Sequence, residues 1–233
     1  MLSKPNDTSG QPSNDPHAQV HALPPHPQLT PPLGSCVRAA VKLVLKYMYA
    51  SHLTLLCLVD SAPMRLWVLA NTLLTYLYSV HLKPITGVKN ATCAGIVAMA
   101  VGLGALAMGG GAASVAAVWR PMIAVGGLIW HREIVMDVKD MDGDRQAGVR
   151  TLPVALGADR AVSLSLVPLA VGAIAAATAP GGGLKAAVAS AALLTQAGLA
   201  LRARAQGYAK ERMGAAIELA PLWLLTTLIA LTL

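Results

Sequence analysis

The sequence predicts an all-α protein, a multi-pass transmembrane helical bundle of about seven helices. Three observations predict it. Of the 233 residues, 55% are hydrophobic and only 12% are charged, whereas an average soluble domain is about 25% charged. The apolar residues fall into separate runs, most of them close to the roughly 17–25 residues that cross a bilayer. The positive residues between the runs alternate from abundant to scarce along the chain.

Residues 1–34 precede the first run and differ from it in composition. They hold eight of the fifteen prolines, together with three of the six histidines. With so few apolar side chains, burial cannot offset the entropy lost on ordering, so this segment is predicted to be a disordered tail before a membrane domain at 35–233. It resembles neither a signal peptide nor a transit peptide. The sequence therefore does not identify the membrane, whether plastid, mitochondrial or another.

Seven apolar runs are predicted to form transmembrane helices. The second and the sixth are short and need flanking residues or tilt to cross the hydrocarbon core. The third and fourth are rich in Gly and Ala, which lets neighbouring helices approach closely. The runs are Val41–Val59, Leu66–Val80, Ala91–Gly111, Ala112–Met136, Ala161–Ala179, Ala186–Leu201 and Ala215–Leu233.

Lys and Arg alternate between the two predicted sides of the bundle. Fourteen lie on one side and three on the other. Because positive residues stay on the cytoplasmic side or its organellar equivalent, this asymmetry orients all the predicted spans. The formal charge of +7 is thus explained by topology and anion binding, and no aromatic-interleaved basic patch indicates a nucleic-acid partner. The fourteen lie within 38–46, 81–90, 132–160 and 202–212.

A row of acids follows the fourth run. Its members are spaced four, three and four residues apart, so on a helix they share one face and repel one another, by roughly 1 kcal/mol for two charges about 4 Å apart in water. A cation is therefore expected among them, and Mg²⁺ with a substrate phosphate fits, since it is usually held by one or two carboxylates plus phosphates. Gly143 is predicted to end the helix, which places Asp144 and Arg145 on a loop. The row is Glu133, Asp137, Asp140 and Asp144.

The loop YSVHLKPITGVKN at 78–90 lies on the same predicted side as the acidic row. It places Tyr78, His81, Lys83, Lys89 and Asn90 at the membrane surface, where lysine supplies a point charge suited to phosphate and Tyr and Asn supply hydrogen-bond donors. Two simpler interpretations remain open: a loop that is basic only because of the topology, and a charged helix end with no ligand.

Cys36, Cys57 and Cys93 lie singly in or beside apolar runs, without CxxC or zinc spacing. They are predicted to act as small buried hydrophobic residues.

The stretch DVKDMDGDRQAGVRTLPVALG, with Asp137-x-x-Asp140-x-x-x-Asp144, resembles the second aspartate-rich motif of the UbiA superfamily of intramembrane prenyltransferases. The loop at 78–90 is similar to that family's Tyr…Leu-Lys loop. Arg132-Glu133 resembles the branch with archaeal-type geranylgeranylglycerol-phosphate transferases. The resemblance covers roughly 40–233.

This resemblance implies a Mg²⁺-dependent transfer of an isoprenoid chain from a prenyl diphosphate to an aromatic or other small acceptor, within a lipid bilayer. It implies that the three aspartates of the motif bind magnesium, with Asp140, Asp144 and Lys83 in catalytic roles. It also implies a set of substrate contacts, with the oligomeric state left open. These contacts are Tyr78, Lys83, Asn90, Arg145 and Glu133.

The family also has a first motif, NDxxDxxxD, and nine helices, whereas the printed chain holds no such motif. If the first run corresponds to the family's third helix, two helices and half of the magnesium ligands are expected to be missing. The main alternative is therefore a truncated, catalytically impaired prenyltransferase-like protein that binds or scaffolds. A transporter is disfavoured because the acids cluster at an interface, and a CDP-alcohol phosphatidyltransferase because Lys139 stands where its motif needs aspartate.

Overall fold

The structure, a computed structural model, describes residues 31–109, 111–180 and 182–232. Most of the predicted tail, residues 1–30, lies outside this described part. The described residues form eleven α-helices, and a π-helical turn, Tyr78–Leu82, follows the second of them. The helices are α1 Pro31–Cys57, α2 Ala62–Leu77, α3 Val88–Ala107, α4 Gly111–Ala117, α5 Trp119–Lys139, α6 Met141–Gln146, α7 Leu152–Leu156, α8 Ala158–Ala177, α9 Leu184–Ala205, α10 Lys210–Glu218 and α11 Ala220–Thr232.

The predicted fold class, an all-α helical membrane bundle, is confirmed, and every predicted run contains helix. By length and composition, however, the described helices supply four membrane spans, or five if α4 and α5, bent by 56°, form one span. The shortfall from seven comes first from α2, which has only 16 residues, and from α1, whose Lys42, Lys46 and His52 dilute its apolar residues. The four spans are α3, α8, α9 and Glu211–Thr232, which combines most of α10 with α11.

The chain divides into two compact units, Met1–Ser51 and His52–Leu233. In the first unit the described residues are helical and belong to α1. In the second unit α5 is the central helix and packs against α3, α8, α10 and α11. Its buried Leu128 and Val135 each belong to a separate apolar cluster shared with α8 and α9.

Helices α5 and α8 approach most closely where glycines replace side chains. A Cβ atom at Gly127 would overlap the carbonyl oxygen of Pro168, and one at Gly172 would lie 3.1 Å from the carbonyl oxygen of Ala124. One turn further along α5, fully buried His131 places Nδ1 2.9 Å from Ser165 Oγ. Small residues and a hydrogen bond thus hold together α5 and α8, the two helices that flank the motif, as expected for helices packed in lipid.

Candidate functional site

Two segments that were predicted to share one side of the bundle meet in the structure. Thr86 Oγ1, in the turn before α3, donates a hydrogen bond of 2.5 Å to the carbonyl oxygen of Arg150. Next to it, Gly87 has φ +80, a conformation that favours glycine, and the Leu152 side chain lies 3.6 Å from where its Cβ would be. The turn therefore places the first residues of α3 beside the end of α5 and the segment that follows it.

The centre of the candidate site is the carboxylate of Asp137, near the end of α5. Lys89 Nζ donates to Oδ1 at 2.6 Å, and Asn90 Nδ2 donates to Oδ2 at 2.9 Å. Asp137 is 8% exposed and Asn90 1%. A buried carboxylate is costly unless it is paired and hydrogen-bonded, and these two contacts offset that cost. In the structure, Lys89 thus supplies a positive charge beside one of the acids.

The side-chain oxygen of Asn90 is the other half of this amide. Its Oδ1 atom is buried and accepts no hydrogen bond from the described residues. An unsatisfied buried acceptor costs roughly 1–3 kcal/mol. Such atoms are rare in folded proteins, and a bound ion or water molecule can satisfy them. Asn90 therefore offers an oxygen for a ligand while its nitrogen holds Asp137.

A second carboxylate lies one turn before Asp137. Glu133 Oε1 is 2.9 Å from Arg132 Nη1, and Cys93 lies near the same carboxylate. Burial, followed by the nearby Cys93 and Glu133, raises the pKa of Tyr78 above its usual value. The Tyr78 hydroxyl thus stays protonated at neutral pH and can donate a hydrogen bond to an anion.

The remaining predicted residues are not among the contacts of Asp137 and Glu133, and two expectations about the acidic segment were wrong. The acids do not form one continuous helical row, because α5 ends at Lys139 and exposed Asp140 separates it from α6 with φ −96 and ψ 3. Asp144 and Arg145 lie in α6, not on a loop, since helical bonding resumes with the Asp144 N–H bonded to the Asp140 carbonyl at 2.9 Å.

Arg145 and Lys83 take no part in the contacts given above for this cluster. Arg145 is exposed, and its Nη1 atom lies 3.8 Å from Asp142 Oδ1. Lys83 is also exposed, and its backbone N–H bonds to the Tyr78 carbonyl at 2.9 Å, which closes the π-helical turn. Their roles stay predictions.

The predicted set of three magnesium-binding aspartates is not preassembled. Within the described residues, no three His, Cys, Asp or Glu side chains are grouped so that they could hold a metal. Mg²⁺ does not need such a cage, because it usually keeps waters and binds one or two carboxylates together with substrate phosphates. Asp137, exposed Asp140 and the free Asn90 Oδ1 are oxygen donors of the kind it prefers, so the chemistry of the site fits this ion.

An apolar cavity of about 910 Å³ begins beside this cluster. It lies among α3, α5 and α8, with Leu152 of α7 at its edge. Ile134, in its lining, is one helical turn before Asp137, and Ala91 directly follows Asn90. Towards the other end of α5, the lining includes Trp119. The cavity thus places a long apolar surface next to a cluster of charged and polar groups.

Sequence reasoning did not connect three members of this cluster with the acids. It named Lys89 in the basic loop but did not pair it with Asp137, and it did not pair Arg132 with the Glu133 carboxylate. It treated Cys93 as a small buried hydrophobic residue, although Cys93 lies near Glu133. The available signal was the position of Lys89 and Asn90 directly before the third apolar run, on the side of the acids.

Fold and site together define a class, a helical membrane protein with a paired carboxylate beside a large apolar cavity. Residues 36–229 match the UbiA prenyltransferase family, and the chain belongs to that family. The resemblance carried by the aspartate motif is thereby confirmed.

Several relatives are named digeranylgeranylglyceryl phosphate synthase. The one from Pyrococcus furiosus is 35% identical over 95 residues, which is 40% of this chain and 32% of the relative. The one from Halobacterium salinarum is 40% identical over 103 residues, 44% of this chain and 36% of the relative. The matched region thus spans about a third of these relatives' own length.

A solved structure from work on digeranylgeranylglyceryl phosphate synthase in membranes shares the fold. It superposes with a TM-score of 0.61 and 22% identity, covering 72% of this chain and 60% of the other.

Proposed function

We propose that this chain, through residues 35–233, takes part in Mg²⁺-dependent transfer of an isoprenoid chain from a prenyl diphosphate to a small acceptor in the bilayer. The observation that carries the proposal is the Asp137–Lys89–Asn90 cluster at the end of the apolar cavity. A prenyl diphosphate has the same two parts, an anionic head and a long apolar tail. At roughly 0.8 kcal/mol per buried CH₂, the cavity would supply much of the affinity.

The head of the donor would bind at the polar cluster. Lys89 gives one of its three N–H donors to Asp137, which leaves two for diphosphate oxygens. Tyr78 would donate its hydroxyl hydrogen to the same anion, while Asp137, Asp140 and Asn90 Oδ1 would hold Mg²⁺. When bound, the ion supplies positive charge that stabilises the leaving diphosphate. Asp144, Lys83 and Arg145 are proposed as outer contacts, and Glu133 as a group that orients the cluster.

In the reaction, the bond between the prenyl carbon and the diphosphate oxygen breaks, and its electron pair leaves with diphosphate. The allylic cation then forms a bond to an electron-rich atom of the acceptor, which loses a proton. The chain's own contribution is to hold the anion at fixed donors and to keep water from the cation with an apolar cavity. The names of the relatives support an acceptor that carries glyceryl phosphate and a geranylgeranyl donor.

The test compares two aspartate variants of the purified chain with labelled geranylgeranyl diphosphate and Mg²⁺. Asp137→Asn should lower binding and transfer by about 100-fold, because it removes a charged oxygen from the cluster. Asp142→Asn is the matched control, since Asp142 is exposed and its ion pair among the described residues is the 3.8 Å contact with Arg145. Removing Mg²⁺ with a chelator should abolish binding by the wild type. Equal binding by both variants, or binding that ignores the chelator, would contradict the proposal.

A further inference from the structure

A second cavity, of about 330 Å³, lies at the start of α8 and the end of α9. Both helices are membrane-span candidates, and these ends belong to the side richer in Lys and Arg. A groove at such a depth faces the headgroup region of a bilayer. It is lined by Leu156, Asp159, Arg160, Ser163, Leu164 and Arg204.

The guanidinium of Arg204 is held in one orientation at this cavity. Its Nε lies 2.9 Å from Asp159 Oδ1, and its Nη1 donates to Ser163 Oγ at 2.9 Å. These contacts use two of its five N–H donors, and no other acceptor for them is found among the described residues. The remaining donors form a fork of the geometry that phosphate oxygens accept.

The carboxylate of Asp159 is itself held by Tyr208, which lies in the connection between α9 and α10. Tyr208 OH donates to Asp159 Oδ1 at 2.6 Å. Burial and this hydrogen bond raise the pKa of Tyr208 to about 12, so it remains a donor at neutral pH. Tyr208 has φ 61, which is unusual for a residue other than glycine. The Asp159 contacts thus preorganise Arg204 at the expense of local backbone strain.

The charge of the lining favours an anion. Asp159 is balanced by Arg204, and Arg160 adds a further positive charge. The positive end of the α8 dipole adds to this positive charge, because Gly157 caps that helix without a side-chain hydrogen bond.

The rest of the lining is apolar and exposed. Leu156 is 40% exposed and Leu164 48%. Leu164 also lines the larger cavity beside the Asp137 cluster, so an apolar chain that leaves the smaller cavity meets apolar surface. A ligand that uses the whole groove therefore has a phosphate at one end and an acyl or prenyl chain at the other.

We propose that Arg204 and Arg160 form a binding site for the phosphate of an anionic membrane lipid, whose chain lies over Leu156 and Leu164, with Ser163 orienting the Arg204 guanidinium. This site is separate from the proposed transfer chemistry at Asp137, and lipid binding can be measured without any prenyl diphosphate.

The experiment is native mass spectrometry of the full chain in detergent, titrated with dioleoyl phosphatidic acid. Dioleoylglycerol, which has the same chains without phosphate, and inorganic phosphate serve as the two comparison ligands. Phosphatidic acid should bind more tightly than either. If inorganic phosphate binds as tightly, the assignment to a lipid is overturned, and if dioleoylglycerol does, the phosphate contact is overturned.

Three variants locate the site. Arg204→Gln should weaken phosphatidic acid binding by about tenfold, as expected for loss of a charge-assisted contact. Arg202→Gln, an exposed arginine of α9 outside the cavity, is the matched control and should bind as the wild type does. Asp159→Asn keeps an acceptor for Arg204 and removes the negative charge, so it should tighten binding. Equal loss in both arginine variants, or weaker binding by Asp159→Asn, would show that the Arg204–Asp159 pair only ties the two helices together.

Discussion

Asp137 receives both of its hydrogen bonds from consecutive residues in the first turn of α3, Lys89 and Asn90. The two donors approach different oxygens, so the carboxylate is fixed in orientation as well as in charge. Lys89 keeps donors free for a second anion, and Asn90 keeps a free acceptor. The same few atoms therefore stabilise the contact between α3 and α5 and leave polar groups available to an ionic ligand.

The Lys89–Asp137 pair should be strongly coupled in stability. Lys89→Gln and Asp137→Asn are each expected to lower the free energy of unfolding by about 1–3 kcal/mol, because each leaves a mostly buried group without its charged partner. The double variant should cost less than the two single variants summed, and chemical unfolding in detergent measures all three. Simple additivity would mean that the two side chains do not stabilise each other.

At this scale the sequence predicted the acids and the need for a cation among them, but it did not indicate which lysine contacts Asp137. Lys83 and Lys89 carry the same charge and lie in the same loop segment, so composition and spacing do not distinguish them. The π-helical turn and Gly87 decide the matter, because they direct the chain so that Lys89 begins α3 beside α5.

Helices α5 and α8 form the central contact between elements, and glycine makes their close approach feasible. Gly127 faces the carbonyl of Pro168 with no space for a methyl group. Its neighbour Gly126 would place a Cβ 3.5 Å from that of Ala98, an ordinary contact, although both glycines line the apolar cavity. The two adjacent glycines thus differ in the space available for a side chain, and only Gly127 is required by the close packing of α5 on α8.

Gly127→Ala should lower the thermal stability of the purified protein, since overpacking typically costs about 1–3 kcal/mol. Gly126→Ala is the matched control, because both changes gain the same helix propensity of roughly 1 kcal/mol. Only Gly127→Ala should push α5 away from α8. Thermal unfolding of the two variants in one detergent measures the difference, and equal melting temperatures would contradict the close packing.

For the whole molecule, the distribution of positive residues and the positions of the spans agree. Helix α9 has 22 residues, which corresponds to about 33 Å of helix, enough for a hydrocarbon core of roughly 30 Å. Lys185 stands near its start, on the side with few positive residues, and Arg202 near its end, on the richly basic side. The two proposed anion sites, at Asp137 and at Arg204, both belong to the basic side.

Labelling of single cysteines should report this orientation. In a chain whose three natural cysteines are replaced by serine, Lys185→Cys and Arg202→Cys should react with an impermeant maleimide from opposite sides of sealed membrane vesicles. Detergent should make both accessible, which controls for reactivity. Labelling of both from one side would show that α9 does not cross the membrane.

The sequence by itself determined the helical membrane class, its charge asymmetry and its family, because these depend on composition and on a motif contiguous in the chain. Tertiary structure decided the rest. The partners in the Lys89–Asp137 pair are 48 residues apart, and no local pattern encodes which side chains meet across two helices. The break at Asp140, the count of helices long enough to span and the cavity beside the cluster likewise depend on how helices end and pack, which is settled by contacts between distant residues.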